Sequence, residues 1–394
     1  MVSKRSKGRR DWGCAKQLPS RRWHASYKDP RTGVRVNAPG TFPTKSEATG
    51  WLAARRADLD RGLWVNDRAG KQPLADWWPG YIKTVRATRR APTANNYEAA
   101  WRLRIEPRFG TVAVARIRPS EIDDWVADLS DSGLSPGKVR ETVGVLGRVL
   151  DVVERDSAIP NNPCRRRGLP LPRVLPREKV VLSPAEILEI ADRFPRREDA
   201  VLFKVLAFTG IRIGEAFALS RQNLDLDRGT LTVAGTVSSD NGKLSIQPPK
   251  NNRIRTISLP RLMCEELRDM LRSSPRIGEA LLFPALSGGL RSTQNFRRDA
   301  WDPALSSWNQ TRANRGSAPL SLTPHDLRAT CASLLVDAGA SLKDLQDHLG
   351  HADISTTMAF YARVVPGRNT DIANRLDALI RGADATPEAA TTAL

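Results

Sequence analysis

The chain has 394 residues, 27% of them charged and 40% hydrophobic, with a formal net charge of +19. That length suggests two or three domains rather than one core, and no stretch reaches the ~18 apolar residues of a membrane span. The basic amino terminus lacks the apolar run of a secretory leader, and the cysteines at 14, 164, 264 and 331 share neither a metal-ligand spacing nor a disulfide framework, which fits a reducing cytoplasm.

The charge is lopsided: residues 1–70 carry +10, residues 71–182 carry +7, and the remainder only +2. Such a front-loaded excess suits binding along a phosphate backbone, the plainer alternative being a solvated basic surface. Lys4, Arg5, Lys7, Arg9 and Arg10 open residues 1–22 as a basic arm. Trp23 to Tyr27 alternates, residues 29–33 read as a turn, and Val34 to Val36 alternates again, which predicts a small antiparallel sheet. Thr44-Lys45-Ser46-Glu47 is a capping box opening a helix to about Leu63. Trp23, Tyr27, Phe42 and Trp51 supply a mini-core, leaving Lys28, Arg31 and Arg35 on the solvent side as candidate DNA contacts.

Residues 71–164 read as helices: Leu74 to Val85, a segment opened at Pro92, a third capped at Pro119–Ile122, and a fourth from Ser135 through Val143, Leu146, Leu150 and Val153. Periodicity there shows only a helical bundle. In the linker at 165–182, Arg165, Arg166 and Arg167 precede Leu169-Pro170-Leu171-Pro172, and the prolines keep it extended. The three arginines read equally as phosphate contacts or as a solvated charge run.

Ser183-Pro184-Ala185-Glu186 starts a helix and the third domain, 183–382. An apolar helix over Val201 to Phe208 delivers Thr209-Gly210-Ile211-Arg212, with Glu215 following. Short strands are expected at 231–233, 244–246 and 255–257, with Lys250 in the basic turn between the last two. Thr323-Pro324 opens a helix bearing His325 and Arg328, and the next helix ends at Gly350 in Leu349-Gly350-His351. Tyr361 follows, then an amphipathic helix from Asn369 to Arg381 that can dock in cis or on a neighbouring copy, and a disordered tail at 383–394. The expected fold is mainly α with small β-sheets (α+β): a three-stranded sheet plus helix, a helical bundle, and a mixed α/β domain.

The chemistry explains why these residue types travel together. Attack on a phosphodiester builds charge on the non-bridging oxygens, and each guanidinium offers a rigid fork of donors to two of them. His325 and Arg328, three residues apart on a helix, share a face. A phenol with a pKa of roughly 10 needs a base or a positive field before it attacks, and a lysine beside the phosphate can protonate the departing oxygen. No tyrosine other than Tyr361 lies after Tyr97, and three of the four histidines fall between His325 and His351. No Walker-type Gly-Lys loop, Gly-x-Ser-x-Gly elbow or acidic cluster suited to magnesium is present, which argues against nucleotide hydrolysis.

At Arg212, Lys250, His325, Arg328, His351 and Tyr361 the chain resembles the tyrosine recombinases, the site-specific integrases of phages and integrative elements. The resemblance covers the order and approximate spacing of six motif positions. It departs at one: the nucleophile commonly follows the last histidine by nine residues, where Phe360 stands here, and Tyr361 is the tenth. Phenylalanine has no nucleophilic oxygen, so Tyr361 is assigned. The resemblance implies an arm-type DNA-binding domain at 1–66, a core-binding domain at 71–164, a catalytic domain, and covalent 3′-phosphotyrosyl chemistry with no cofactor. The implied partners are double-stranded DNA at core and arm sites, a homotetramer on DNA, a directionality factor and a DNA-bending host protein. The implied setting is the nucleoid of a bacterial host.

Plainer readings stand beside these. Arg212 alone could be a surface partner of Glu215, and Glu215 reads as a buried support rather than a proton donor. His348 reads as structural or solvent-facing. A zinc site drawn from Cys331, His348 and His351 lacks any standard ligand spacing. Alternatives at the level of the whole chain are a Xer-like resolvase, a topoisomerase-like nicking and closing enzyme, and an inert DNA-binding relative.

Overall fold

The computed structural model describes residues 12–29, 33–61, 64–175, 177–249, 254–350 and 376–377. The chain divides into two compact units, Met1–Leu175 and Pro176–Leu394. Among the described residues no helix is long and apolar enough to cross a membrane.

In the first unit the strands Gly13–Gln17, Trp23–Lys28 and Arg35–Asn37 form an antiparallel sheet in chain order, with Gly13 opposite Tyr27 and Tyr27 opposite Val36. The first strand lies within the expected basic arm. It joins the sheet because Ala15 packs with Trp23, Phe42, Trp51 and Leu52 around buried Ala25 and Ala48. Thr44 caps the helix Lys45–Asp60, its hydroxyl accepting the Glu47 amide at 3.2 Å, while the Glu47 carboxylate accepts from that hydroxyl at 3.0 Å, so the expected N-cap forms but, among the described residues, the reciprocal bond to the Thr44 amide does not.

The helices Trp78–Thr88, Ala91–Ala100, Pro119–Asp131 and Pro136–Arg155 surround a core that includes Leu74, Trp101, Ile105, Phe109, Trp125, Leu146 and Leu150. The helix beginning at Ala91 runs on to Phe109 through a wider turn at Trp101–Ile105, where the Glu106 amide donates to the Trp101 carbonyl five residues back. Pro107 comes next, and a proline ring collides with the carbonyl four residues before it, so widening the turn relieves the clash. The same device recurs at Arg297–Trp301, ahead of Pro303, in the second unit.

Residues read as the start of the linker are held on this bundle. Asn162 donates to the Gly147 carbonyl at 2.7 Å, Arg165 pairs with Asp151, Arg166 pairs with Asp123, and Leu169 and Leu171 pack against the core.

The hub of the second unit is the helix Arg197–Thr209, in which Val201, Leu202, Phe203, Val205, Leu206 and Ala207 are all buried. Being apolar on every side, it needs cover on every side, and the helices Pro184–Ala191, Arg261–Ser273 and Pro324–Asp337 provide it. Beside them lies an antiparallel sheet ordered Leu224–Asp225, Thr230–Val233, Arg255–Ser258, with a separate hairpin, Thr236–Asp240 and Lys243–Gln247. The strands Leu224–Asp225 and Thr236–Asp240 were not expected from sequence.

Phe203 lies between Phe194 and Trp301, with ring centroids 5.4 Å from each. Phe203→Ala should cost about 3–5 kcal/mol of unfolding free energy. Urea denaturation followed by tryptophan fluorescence would measure it, and a cost under ~1 kcal/mol would mean that the hub does not depend on this packing.

Candidate active site

The hub helix stops at Gly210, whose φ of +62° is left-handed. A Cβ on Gly210 would lie 2.8 Å from Leu349 Cδ2 and 3.1 Å from the Cys331 sulfur. Both the backbone angle and the crowding therefore demand glycine in the Thr-Gly-x-Arg segment. The turn places Arg212 at the N-cap of the short helix Ile213–Phe217, where the Arg212 amide donates to Glu215 Oε2 at 3.0 Å and its guanidinium to Oε1 at 2.9 Å.

Glu215 is buried and receives a second guanidinium, because Arg255 donates to Oε2 at 2.7 Å and to Oε1 at 3.3 Å. Burial works to raise the Glu215 pKa, but the hydrogen bond and charge of Arg255, with the contacts of Arg212, hold the carboxyl below the usual range. Arg255 also donates from Nε to the His348 carbonyl at 3.3 Å.

His325 and Arg328 stand on the helix Pro324–Asp337, whose start is fixed by buried Asp326 accepting from the Thr323 amide at 2.8 Å. Arg177 and Lys179 lie 3.3 and 3.6 Å from the Asp326 carboxylate. Arg328 is buried and donates to the Gly210 carbonyl at 2.7 Å and to the Leu349 carbonyl, joining two helix ends. Burial, with the charges of Arg212 and Arg255, pulls the Arg328 pKa down from its usual value. Burial, then Lys179 and Arg328, lower the His325 pKa as well, so its imidazole is neutral at neutral pH. His348 Nε2 lies 3.0 Å from the Thr209 carbonyl and 3.9 Å from the Cys331 sulfur, which makes His348 a brace across the Gly210 turn.

Arg212 and Arg255 thus share the Glu215 carboxylate, and Arg328 lies close enough for their charges to act on it. The side chains of Arg255 and Arg328 are buried, whereas that of Arg212 is 37% exposed, so the excess positive charge faces outward at Arg212. That is the electrostatic form of an anion site. Lys250, His351 and Tyr361 lie outside the described residues.

Comparisons with known proteins point to one family. Sequence models match for the phage integrase N-terminal domain over residues 11–61, the N-terminal SAM-like domain of phage integrases over 74–130, and the phage integrase family over 181–367. The integrase of Mycobacterium phage L5 is 28% identical over 387 residues, spanning 95% of this chain and 99% of that protein. The Tn1549 transposon integrase, solved in complex with a circular intermediate DNA, aligns with a TM-score of 0.66 at 20% identity, over 77% of this chain and 99% of that one. A lambda integrase tetramer bound to a Holliday junction aligns at a TM-score of 0.54 and 18% identity, over 86% and 92%. The chain belongs to the phage integrase family of tyrosine recombinases. Members of this family are enzymes that transfer DNA strands.

The recombinase's candidate contacts outside this site fall into two groups. Lys28 and Arg35 are exposed and stand opposite each other on the front sheet, while Arg31 lies outside the described residues. Arg165 and Arg166 are engaged by Asp151 and Asp123, and Arg167 is exposed.

Sequence reasoning missed Arg255, placing it in a strand without giving it a role. Its signal was the alternation of Arg255-Thr256-Ile257-Ser258: Ile257 must face the core, so Arg255 faces it too, and a guanidinium there requires a buried partner. Asp326 was also missed, although it stands at the N3 position of the capping box after Thr323.

Two outcomes follow for the recombinase. Gly210→Ala should lower stability by about 1–3 kcal/mol through the positive φ and the Leu349 clash, read as a drop in Tm, and an unchanged Tm would contradict the crowding described. His325 and His348 both have folded pKa values below the ordinary 6.5. The unfolded chain therefore takes up these protons first, and stability should decline as pH falls below about 6.5. Thermal melts from pH 8 to pH 5 would show this, and His348→Gln should make the decline shallower.

Proposed function

We propose that this recombinase is a site-specific integrase in which Tyr361 attacks the scissile phosphate to give a 3′-phosphotyrosyl enzyme and a free 5′-hydroxyl. The P–O5′ bond breaks as the Tyr361–phosphate bond forms, so the phosphoester energy is kept for religation by a partner strand. The observation that carries the reading is the cationic cluster of Arg212, Arg255 and Arg328: Arg212 and Arg255 share Glu215, while Arg328, from a motif 116 residues after Arg212, bonds only to backbone carbonyls among the described residues. A phosphate would supply the missing negative charge, and fixed donors around it would stabilise the phosphorane. Neutral His325 can donate one hydrogen bond to that phosphate and accept the phenolic proton of Tyr361. His351 would add a donor, and Lys250 would protonate the leaving 5′-oxygen.

The front of the chain supplies the grip on DNA in this reading. Residues 1–66 act as an arm-binding domain, with Lys28, Arg31 and Arg35 on phosphate. Residues 71–164, with Arg167 beyond them, bind the core site, and the linker to the catalytic domain at 183–382 runs to residue 182. The DNA complexes of the Tn1549 and lambda enzymes support double-stranded DNA as the partner, and the lambda tetramer supports four protomers on two sites. A chain that binds core and arm sites together is bivalent, so accessory DNA-bending and directionality proteins can set its direction. The reaction is placed in the cytoplasm of a bacterial host, at the nucleoid.

Incubation with nicked attachment-site DNA in EDTA tests the nucleophile. The wild type should form a covalent protein–DNA band on a denaturing gel and Tyr361→Phe none. A band that persists in Tyr361→Phe would transfer the role to another residue.

A further inference from the structure

We infer that Arg255 is a positioning residue of the strand-cleavage site: it locks the Arg212 loop and the turn that leads into His351 into one rigid unit. The inference rests on the recombinase reading above and adds to it a residue outside the six motif positions.

A buried Arg–Glu pair alone is weak support for any role beyond neutrality, since its desolvation cost offsets much of its Coulomb attraction. Arg255 does more than neutralise. Two of its guanidinium nitrogens take both oxygens of Glu215, the same carboxylate that holds the Arg212 amide and guanidinium. Its third nitrogen, Nε, is turned the other way, to the His348 carbonyl. The turn is built against this side chain: Gly350 has φ +66°, and a Cβ there would lie 3.0 Å from Arg255 Cδ, 3.2 Å from Nε and 3.3 Å from Cζ. The left-handed turn at Gly350 is thus packed directly on Arg255. Arg255 is also the first residue of the strand Arg255–Ser258, five residues after Lys250.

One planar group therefore joins the Arg212 loop to the His348–Gly350 turn. A lysine could satisfy the charge of Glu215 but not the fork and the His348 carbonyl together. The arrangement holds although the Arg255 and Arg328 charges oppose each other, which lowers the Arg328 pKa.

The test compares wild type, Arg255→Lys, Arg255→Met, Glu215→Gln and the double variant Arg255→Met/Glu215→Gln. The double variant removes the unpaired buried carboxylate that would endanger folding of Arg255→Met. Three quantities are read: Tm, affinity for attachment-site DNA, and the rate of covalent adduct formation at saturating DNA. Arg255→Met should cleave at least ~100-fold more slowly with DNA affinity within ~3-fold of wild type, and Arg255→Lys should recover part of the rate. The double variant should keep the Tm of Glu215→Gln yet cleave at least ~10-fold more slowly than that single variant, because the His348–Gly350 turn has lost its support.

The inference is overturned if Arg255→Met cleaves within ~3-fold of wild type, or if the double variant matches Glu215→Gln. Parallel loss of Tm, affinity and rate in every Arg255 variant would also overturn it, leaving a residue that serves folding alone. Absence of adduct in wild type is a separate outcome, which would sink the recombinase mechanism rather than the role of Arg255.

Discussion

The second unit depends on the carboxylate of Glu215. Guanidiniums cannot be gathered in a largely buried site unless something nearby carries negative charge, and Glu215 is the carboxylate that Arg212 and Arg255 share beside buried Arg328. It is buried, held ionised by Arg255 and Arg212, and joined to both through short contacts. One negative charge neutralises only part of the cluster. The remainder is directed to the half-exposed Arg212, where a phosphate would complete it.

Glycine is the second constraint, and it acts at helix ends. Gly210 and Gly350 both adopt left-handed conformations, and both sit where a side chain would strike another part of the site, Leu349 and Cys331 in one case and Arg255 in the other. Arg328 then donates to the carbonyls of Gly210 and Leu349, so one buried guanidinium ties the two helix ends. Structural and electrostatic roles are therefore superimposed in Arg328 and Arg255, and a change at either disturbs the packing along with the charge.

Much of this was readable in advance because it is local. The capping box at Ser183 and the N-cap at Thr44 formed as the spacing predicts, since an N-cap hydroxyl and the N3 residue meet within one turn. The helix Arg197–Thr209 followed from its apolar run, and the stop at Gly210 from the glycine itself. Arg165 and Arg166 were harder: their partners, Asp151 and Asp123, lie 14 and 43 residues away, and nothing in a run of three arginines announces which carboxylates will claim them. The strand Gly13–Gln17 was hidden for a similar reason, because its pairing with Trp23–Lys28 depends on a mini-core that includes the helix Lys45–Asp60.

The sequence by itself determined the family: the types, order and spacing of the motif residues place the chain with the tyrosine recombinases. Those facts sit in short motifs whose spacing is set by one turn of helix or one tight turn, where neighbours in sequence are neighbours in space. Only the tertiary structure decided how the motifs are held together, namely that Glu215 binds Arg255 forty residues on, that His348 braces Thr209, and that Asp326 meets Arg177 and Lys179. Those pairings depend on which surfaces the hub helix buries, and a buried charge finds its partner only once the surrounding chain has excluded water.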